Sequence, residues 1–90
     1  MNGRELVAWN VRRLRVEKGV SQERLALEAS VDPAYLSGVE RRQENPTVDL
    51  LDRLAAALSA PTSALFVEPS PGAAPPKSLP GGRRPTAGKL

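Results

Sequence analysis

The chain has 90 residues, enough for one small domain, and its 40% hydrophobic and 26% charged residues are the balance of an ordinary globular protein. It holds no Cys and no His, which excludes disulfides, removes the usual zinc ligands and the commonest general base, and argues against an enzyme, a metal site or a cofactor. Thirteen Lys and Arg against ten Asp and Glu give +3; no apolar run approaches the ~18 residues of a membrane span, and without a signal-peptide core a cytoplasmic protein with no membrane partner is expected.

The first predicted helix runs from Gly3 to Lys18. Val7, Val11, Leu14 and Lys18 recur at i, i+4, i+7 and i+11 and form one inward stripe, the Lys18 stem extending it. Trp9 and Val16 lie off that stripe and either cover the last turn near Phe66 or form an exposed apolar strip for a partner. Gly19 stops the helix. Ser21 caps a short second helix, with Glu23 in its first turn, that ends near Ala29. After the turn Ser30-Val31, Asp32 caps a third helix with Pro33 at its first position, where a missing N–H costs nothing. Leu36 and Val39 point inward from it. Arg42 to Pro46 reads as a polar loop. Thr47 caps a fourth helix whose apolar set is Leu50, Leu51, Leu54, Ala55 and Leu58. Pro61 restarts the chain, and Thr62 caps a last short helical turn with Leu65 and Phe66. No β-strand pattern is present.

Past Glu68 the composition changes. Six Pro and four Gly fall among the 22 residues from Pro69 to Leu90, with no apolar periodicity, so residues 68–90 are expected to be a disordered tail. Through Phe66 the chain has nine basic and nine acidic residues, a net charge of zero. The positive charge therefore belongs to the tail, through Lys77, Arg83, Arg84 and Lys89. Such a tail is either a solvated extension or a basic arm, and it is a candidate site for a protein partner.

The second and third helices are separated by only about three residues, which forces a tight, steep crossing. Ala26 supplies the small residue that close approach requires. Counted from Gln22 as the first position, Leu25, Ala26, Ala29, Val31, Leu36 and Val39 take positions 4, 5, 8, 10, 15 and 18. This is helix-turn-helix spacing, which helical hairpins of many bundles share. The longer order from Val11 to Phe66 is more specific: Arg15, then SQ-x-x-LA from Ser21, S-x-x-E from Ser37, N-P-T from Asn45 and L-x-x-LA-x-AL from Leu51. In combination it resembles the lambda-repressor-like, or xenobiotic-response-element type, family of DNA-binding domains.

That resemblance implies an all-α, five-helix lambda-repressor-like domain over residues 1–67, with its motif at about 21–41, bound to double-stranded DNA. It places the third helix in the major groove, with Pro33, Ala34, Tyr35, Ser37 and Gly38 as candidates for base contact. Ser37 can donate or accept, and Ala34 can touch a thymine methyl. The face lacks the long Gln, Asn and Arg forks of strong bidentate readout, so DNA shape is expected to supplement it. Phosphate contacts are implied for Ser21 and Gln22 at the start of the second helix, for Arg41, Arg42, Gln43 and Asn45 in the following loop, and for Arg15 if donors remain free. Arg15 is also implied to form a scaffold salt bridge with Glu40. The family usually has Gly where this chain has Ser30 and Arg42, two sites that favour a left-handed backbone.

The same resemblance implies a nucleoid-associated transcription regulator, with a repressor as the default. It implies a homodimer as well, joined around Leu58, Ala60, Pro61 and Phe66, because one helix reads only a few base pairs. Alternatives on the same scaffold are an antitoxin, a protein-interaction adaptor and a restriction-modification controller protein.

Overall fold

A computed structural model describes residues 1–76; residues 77–90, with most of the tail expected to be disordered, lie outside the described residues. Helices form where the local chemistry starts them. Asn2 opens α1 (Gly3–Lys18) with a reciprocal cap: its side chain accepts from the Glu5 N–H at 2.9 Å, and the Glu5 carboxylate accepts from the Asn2 N–H at 2.9 Å. Ser21 caps α2 (Gln22–Ala29), Asp32 caps α3 (Pro33–Glu40), and Thr47 caps α4 (Val48–Ala57), each accepting from the backbone N–H three residues on.

The four helices also stop alike. In each, one residue turns left-handed while its N–H and the next one reach back to carbonyls of the last turn. The left-handed residues are Gly19 (φ 73°), Ser30 (φ 58°), Arg42 (φ 63°) and Ser59 (φ 57°). The closing bonds are Val20 to Arg15, Val31 to Ala26, Gln43 to Gly38 and Ala60 to Ala55, at 2.8–3.0 Å. Only the first uses glycine. Ser30 and Arg42 thus keep the backbone that glycine takes most cheaply in the family the chain resembles, rather than rearranging the turn, and Ser59 repeats it without a sequence signal.

The described residues contain no strand. The expected fifth helix is a single 3-10 turn, Thr62–Phe66, so the architecture is four α-helices and a turn. Pro61, not Thr62, occupies its cap position, and the Thr62 hydroxyl instead donates to Asp52 at 2.6 Å. α1 packs on α3 and the 3-10 turn, α2 on α3 and α4, and α4 on the 3-10 turn. One core results: Val7 and Val11 from α1, Leu25, Ala26 and Ala29 from α2, Leu36 and Val39 from α3, Leu51, Leu54 and Ala55 from α4, then Leu58 and Leu65. Among the described residues no helix is long and apolar enough to cross a membrane.

Two positions on α1 differ from the sequence reading. Lys18 is exposed and its ammonium reaches the Ser59 hydroxyl at 3.4 Å; Arg15 takes the interior place instead. Asn10, which the apolar pattern skips, is buried. Its amide donates to the Leu65 carbonyl at 3.1 Å and the Val67 carbonyl at 2.9 Å, and its oxygen accepts from Arg13. Burial is tolerated because every polar atom finds a partner.

Candidate nucleic-acid interface

The helix pair α2 and α3 is joined by Ser30, Val31 and Asp32 alone. Ala26 is fully buried at the crossing, and Leu36 and Val39 seal α3 against the core. The far end of α3 is fixed by charge. Arg15 meets Glu40 through two parallel bonds, Nε to Oε2 at 2.7 Å and Nη2 to Oε1 at 2.9 Å. Both side chains are almost fully buried, at 8% and 3% exposure. Arg15 also donates to the Val20 carbonyl at 3.0 Å, and the Gln22 amide donates to Glu40 at 3.0 Å. The carboxylate therefore ties together α1, the start of α2 and the end of α3. The fork geometry of arginine makes such a junction rigid.

This junction changes the reading of two residues. Arg15 points inward with its donors engaged, so it serves the scaffold rather than an external phosphate. Gln22 is half-buried and its amide is bonded to Glu40 rather than held out to solvent. Ser21 keeps a hydroxyl hydrogen, since its oxygen only accepts from the Arg24 N–H.

The outer face of α3 is narrower than the spacing implies. Asp32, Pro33 and Ala34 are exposed, Ser37 is half-exposed, and Tyr35 leans on the core. Gly38 is the correction: it is buried, not presented. A Cβ built there would lie 2.7 Å from Glu44 Cγ and 3.1 Å from its carboxylate oxygen. Glycine makes room for the loop to fold back, and the partner it admits is Glu44. The acid that opposes the loop's cations in the sequence is thereby laid over α3. Arg41, Arg42, Gln43 and Asn45 remain exposed. Arg41 is oriented by two neighbours, donating to the Ser37 hydroxyl and, at 3.3 Å, to Gln43.

The sequence reading did not identify Arg53 as part of this assembly. From α4 its Nε donates to the Ala29 carbonyl at 3.2 Å, holding the end of α2 beside the turn. An exposed arginine on a polar helix face gives no signal of such a role. Trp9 and Val16 are half-buried and line a cleft together with Val67, Pro69, Ala73, Ala74 and Pro76 of the segment after the 3-10 turn, while Phe66 stays 44% exposed.

Comparison with known proteins places this geometry. The family model described as Helix-turn-helix matches residues 11–65. A hypothetical transcription factor of Neisseria meningitidis is 39% identical over 66 residues, covering 73% of this chain and 62% of the relative. The uncharacterized HTH-type transcriptional regulator y4dJ of Sinorhizobium fredii is 47% identical over 58 residues, covering 64% and 75%. The crystal structure of the Neisseria hypothetical transcription factor superposes with a TM-score of 0.74 at 37% identity, over 78% of this chain and 80% of that one. The restriction-modification controller protein C.AhdI of Aeromonas hydrophila gives 0.68 at 38% identity, over 70% and 96%.

Proposed function

The chain belongs to the helix-turn-helix family, in its lambda-repressor-like, xenobiotic-response-element type, and we propose that it is a repressor that binds double-stranded DNA as a homodimer with α3 in the major groove. The observation that supports this most directly is the division of α3. Its inner side is held by Leu36, Val39 and the Arg15–Glu40 junction, and its outer side is left accessible at Pro33, Ala34 and Ser37. Rigid backing and an open, small-residue face suit a helix that must enter a groove.

In this reading residues 1–67 form the DNA-binding domain. Ser37 and Ala34 touch base edges, Pro33 sits beside them, and Tyr35 serves mainly the scaffold. Arg41, aimed by Ser37 and Gln43, reaches a guanine or a neighbouring phosphate. Ser21, the free N–H groups at the start of α2, Arg42, Gln43 and Asn45 hold the phosphates. Its place of work is the nucleoid of the cytoplasm, and no catalytic residue is assigned. Leu58 is buried in the protomer, so the dimer contact expected around it moves outward, to Pro61, Phe66 and the neighbouring Val67. The likeness to C.AhdI supports a second reading, a controller of restriction-modification genes.

Selection of bound fragments from random duplex DNA tests the proposal. Enrichment of two symmetric half-sites about one helical turn apart, ~34 Å, is expected, with Ser37→Ala relaxing preference at one or two base pairs. Recovery of unselected sequence, or binding indifferent to salt, would overturn it. Where the selected operator lies, beside restriction-modification genes or elsewhere, separates the two readings.

A further inference from the structure

Gly38 leaves a gap in the surface of α3, and a side chain from the following loop fills it. Gly38 lies one turn on from Ala34 and three residues before Arg41, spacings that share a helix face. A Cβ built at Gly38 would come within 2.7 Å of Glu44 Cγ, 3.1 Å of Glu44 Oε2 and 3.4 Å of its Cδ. The Glu44 side chain therefore occupies the space that a larger residue at position 38 would use. Cβ bonds tilt towards the N-terminus of a helix, so that space lies over the turn of Ala34, which is exposed. The loop is held there by its backbone, the Gln43 N–H donating to the Gly38 carbonyl at 2.8 Å.

Glu44 is half-buried, yet among the described residues its carboxylate has no hydrogen-bond or ion-pair partner. Arg41, the cation three residues before it, donates to the Ser37 hydroxyl and to Gln43 instead. An unneutralised acid on a surface that meets phosphates penalises every complex in which the DNA returns no donor. In the major groove the donors are the amino groups at cytosine N4 and adenine N6. A carboxylate only accepts, so it suits cytosine better than adenine, whose N7 acceptor lies beside its amino group. We propose that Glu44 is a specificity-determining residue that accepts a hydrogen bond from a cytosine amino group in each half-site. The proposal rests on the DNA-binding reading above and adds to it a base reader that comes from outside α3. The small side chains of Ala34 and Ser37 leave room for it beside the bases. Guanine O6 and N7 and thymine O4 are acceptors, and the carboxylate repels them.

The test uses the full chain and the duplex selected from random DNA. Each base pair of a half-site is changed in turn, and affinity is read by fluorescence anisotropy. The unaltered chain is expected to prefer cytosine at one pair by about 5- to 150-fold. Glu44→Gln, which keeps the shape of the side chain, is expected to lose that preference and favour adenine, because the amide adds the donor that adenine N7 accepts. Glu44→Ala is expected to level the same pair to within about twofold and to bind unselected duplex more tightly, since a negative charge has left the surface. A Glu44 that only packs against Gly38 would change the melting temperature without redirecting base choice at a single pair. If both variants keep the native preference at every pair, or the unaltered chain shows no cytosine preference in its half-site, the proposal is overturned while the helix-turn-helix reading stands. Failure of the selection to yield any operator overturns both.

Discussion

Arg15 and Glu40 illustrate how much rests on single side chains in so small a domain. Removing one member of a buried ion pair strands the other charge, at a cost of about 3–5 kcal/mol. Glu40→Ala is therefore expected to lower the urea midpoint sharply, whereas Arg15→Met/Glu40→Leu loses much less, because no charge is left buried. Equal losses in the single and double variants would show that the pair's own attraction dominates. Gly38 tests a different term. Alanine would favour the helix by about 1 kcal/mol but meets Glu44 Cγ at 2.7 Å. Gly38→Ala is expected to gain that amount in a Glu44→Ala background and clearly less in the native one. Denaturation of the four chains measures the coupling.

At the scale of elements, the shared helix ending is the most consequential feature. Ser30 adopts φ 58° in the turn of the helix-turn-helix, a conformation that costs a non-glycine residue about 1–2 kcal/mol. Ser30→Gly is expected to raise stability by about 1 kcal/mol, after glycine's larger loss of freedom on folding is deducted. A shift in melting temperature of about 4–8 °C would register it. Asn10 plays the corresponding part between elements, because it joins α1 to the end of the 3-10 turn. Asn10→Ala leaves two carbonyls short of a donor and is expected to cost about 1–3 kcal/mol. Hydrogen exchange is expected to accelerate across residues 67–76 well before the core. Uniform acceleration would show that the segment is not held by Asn10.

At the scale of the molecule, four short helices around a dozen buried apolar side chains make a small core. Domains of this size bury only about 60% of their unfolded surface, and the proposed dimer would add to that. Phe66 and Val67 are 44% and 51% exposed and adjacent. If the proposed homodimer joins there, Phe66→Glu is expected to leave the fold intact, give a monomer in sedimentation and weaken operator binding by at least about tenfold, because each protomer would then bind its half-site alone. A native chain that sediments as a monomer with and without operator would refute the dimer.

The order of the helices, the caps Ser21, Asp32 and Thr47 and the tight α2–α3 pair were readable from the chain because each depends on a few adjacent residues, whereas the left-handed sites at Ser30 and Arg42 were implied only by the family resemblance. Periodicity placed Leu25, Leu36, Val39 and Leu54 in the core for the same reason. What the sequence could not decide was set by contacts between distant segments. Arg15 replaced Lys18 inside because Glu40 came to meet it, Asn10 was buried because carbonyls 55 and 57 residues away required its amide, and Gly38 turned from a DNA-facing residue into the seat of Glu44 because the loop folded back. A helical stripe specifies which face is apolar, but the partner of a buried polar group exists only once the chain has closed on itself.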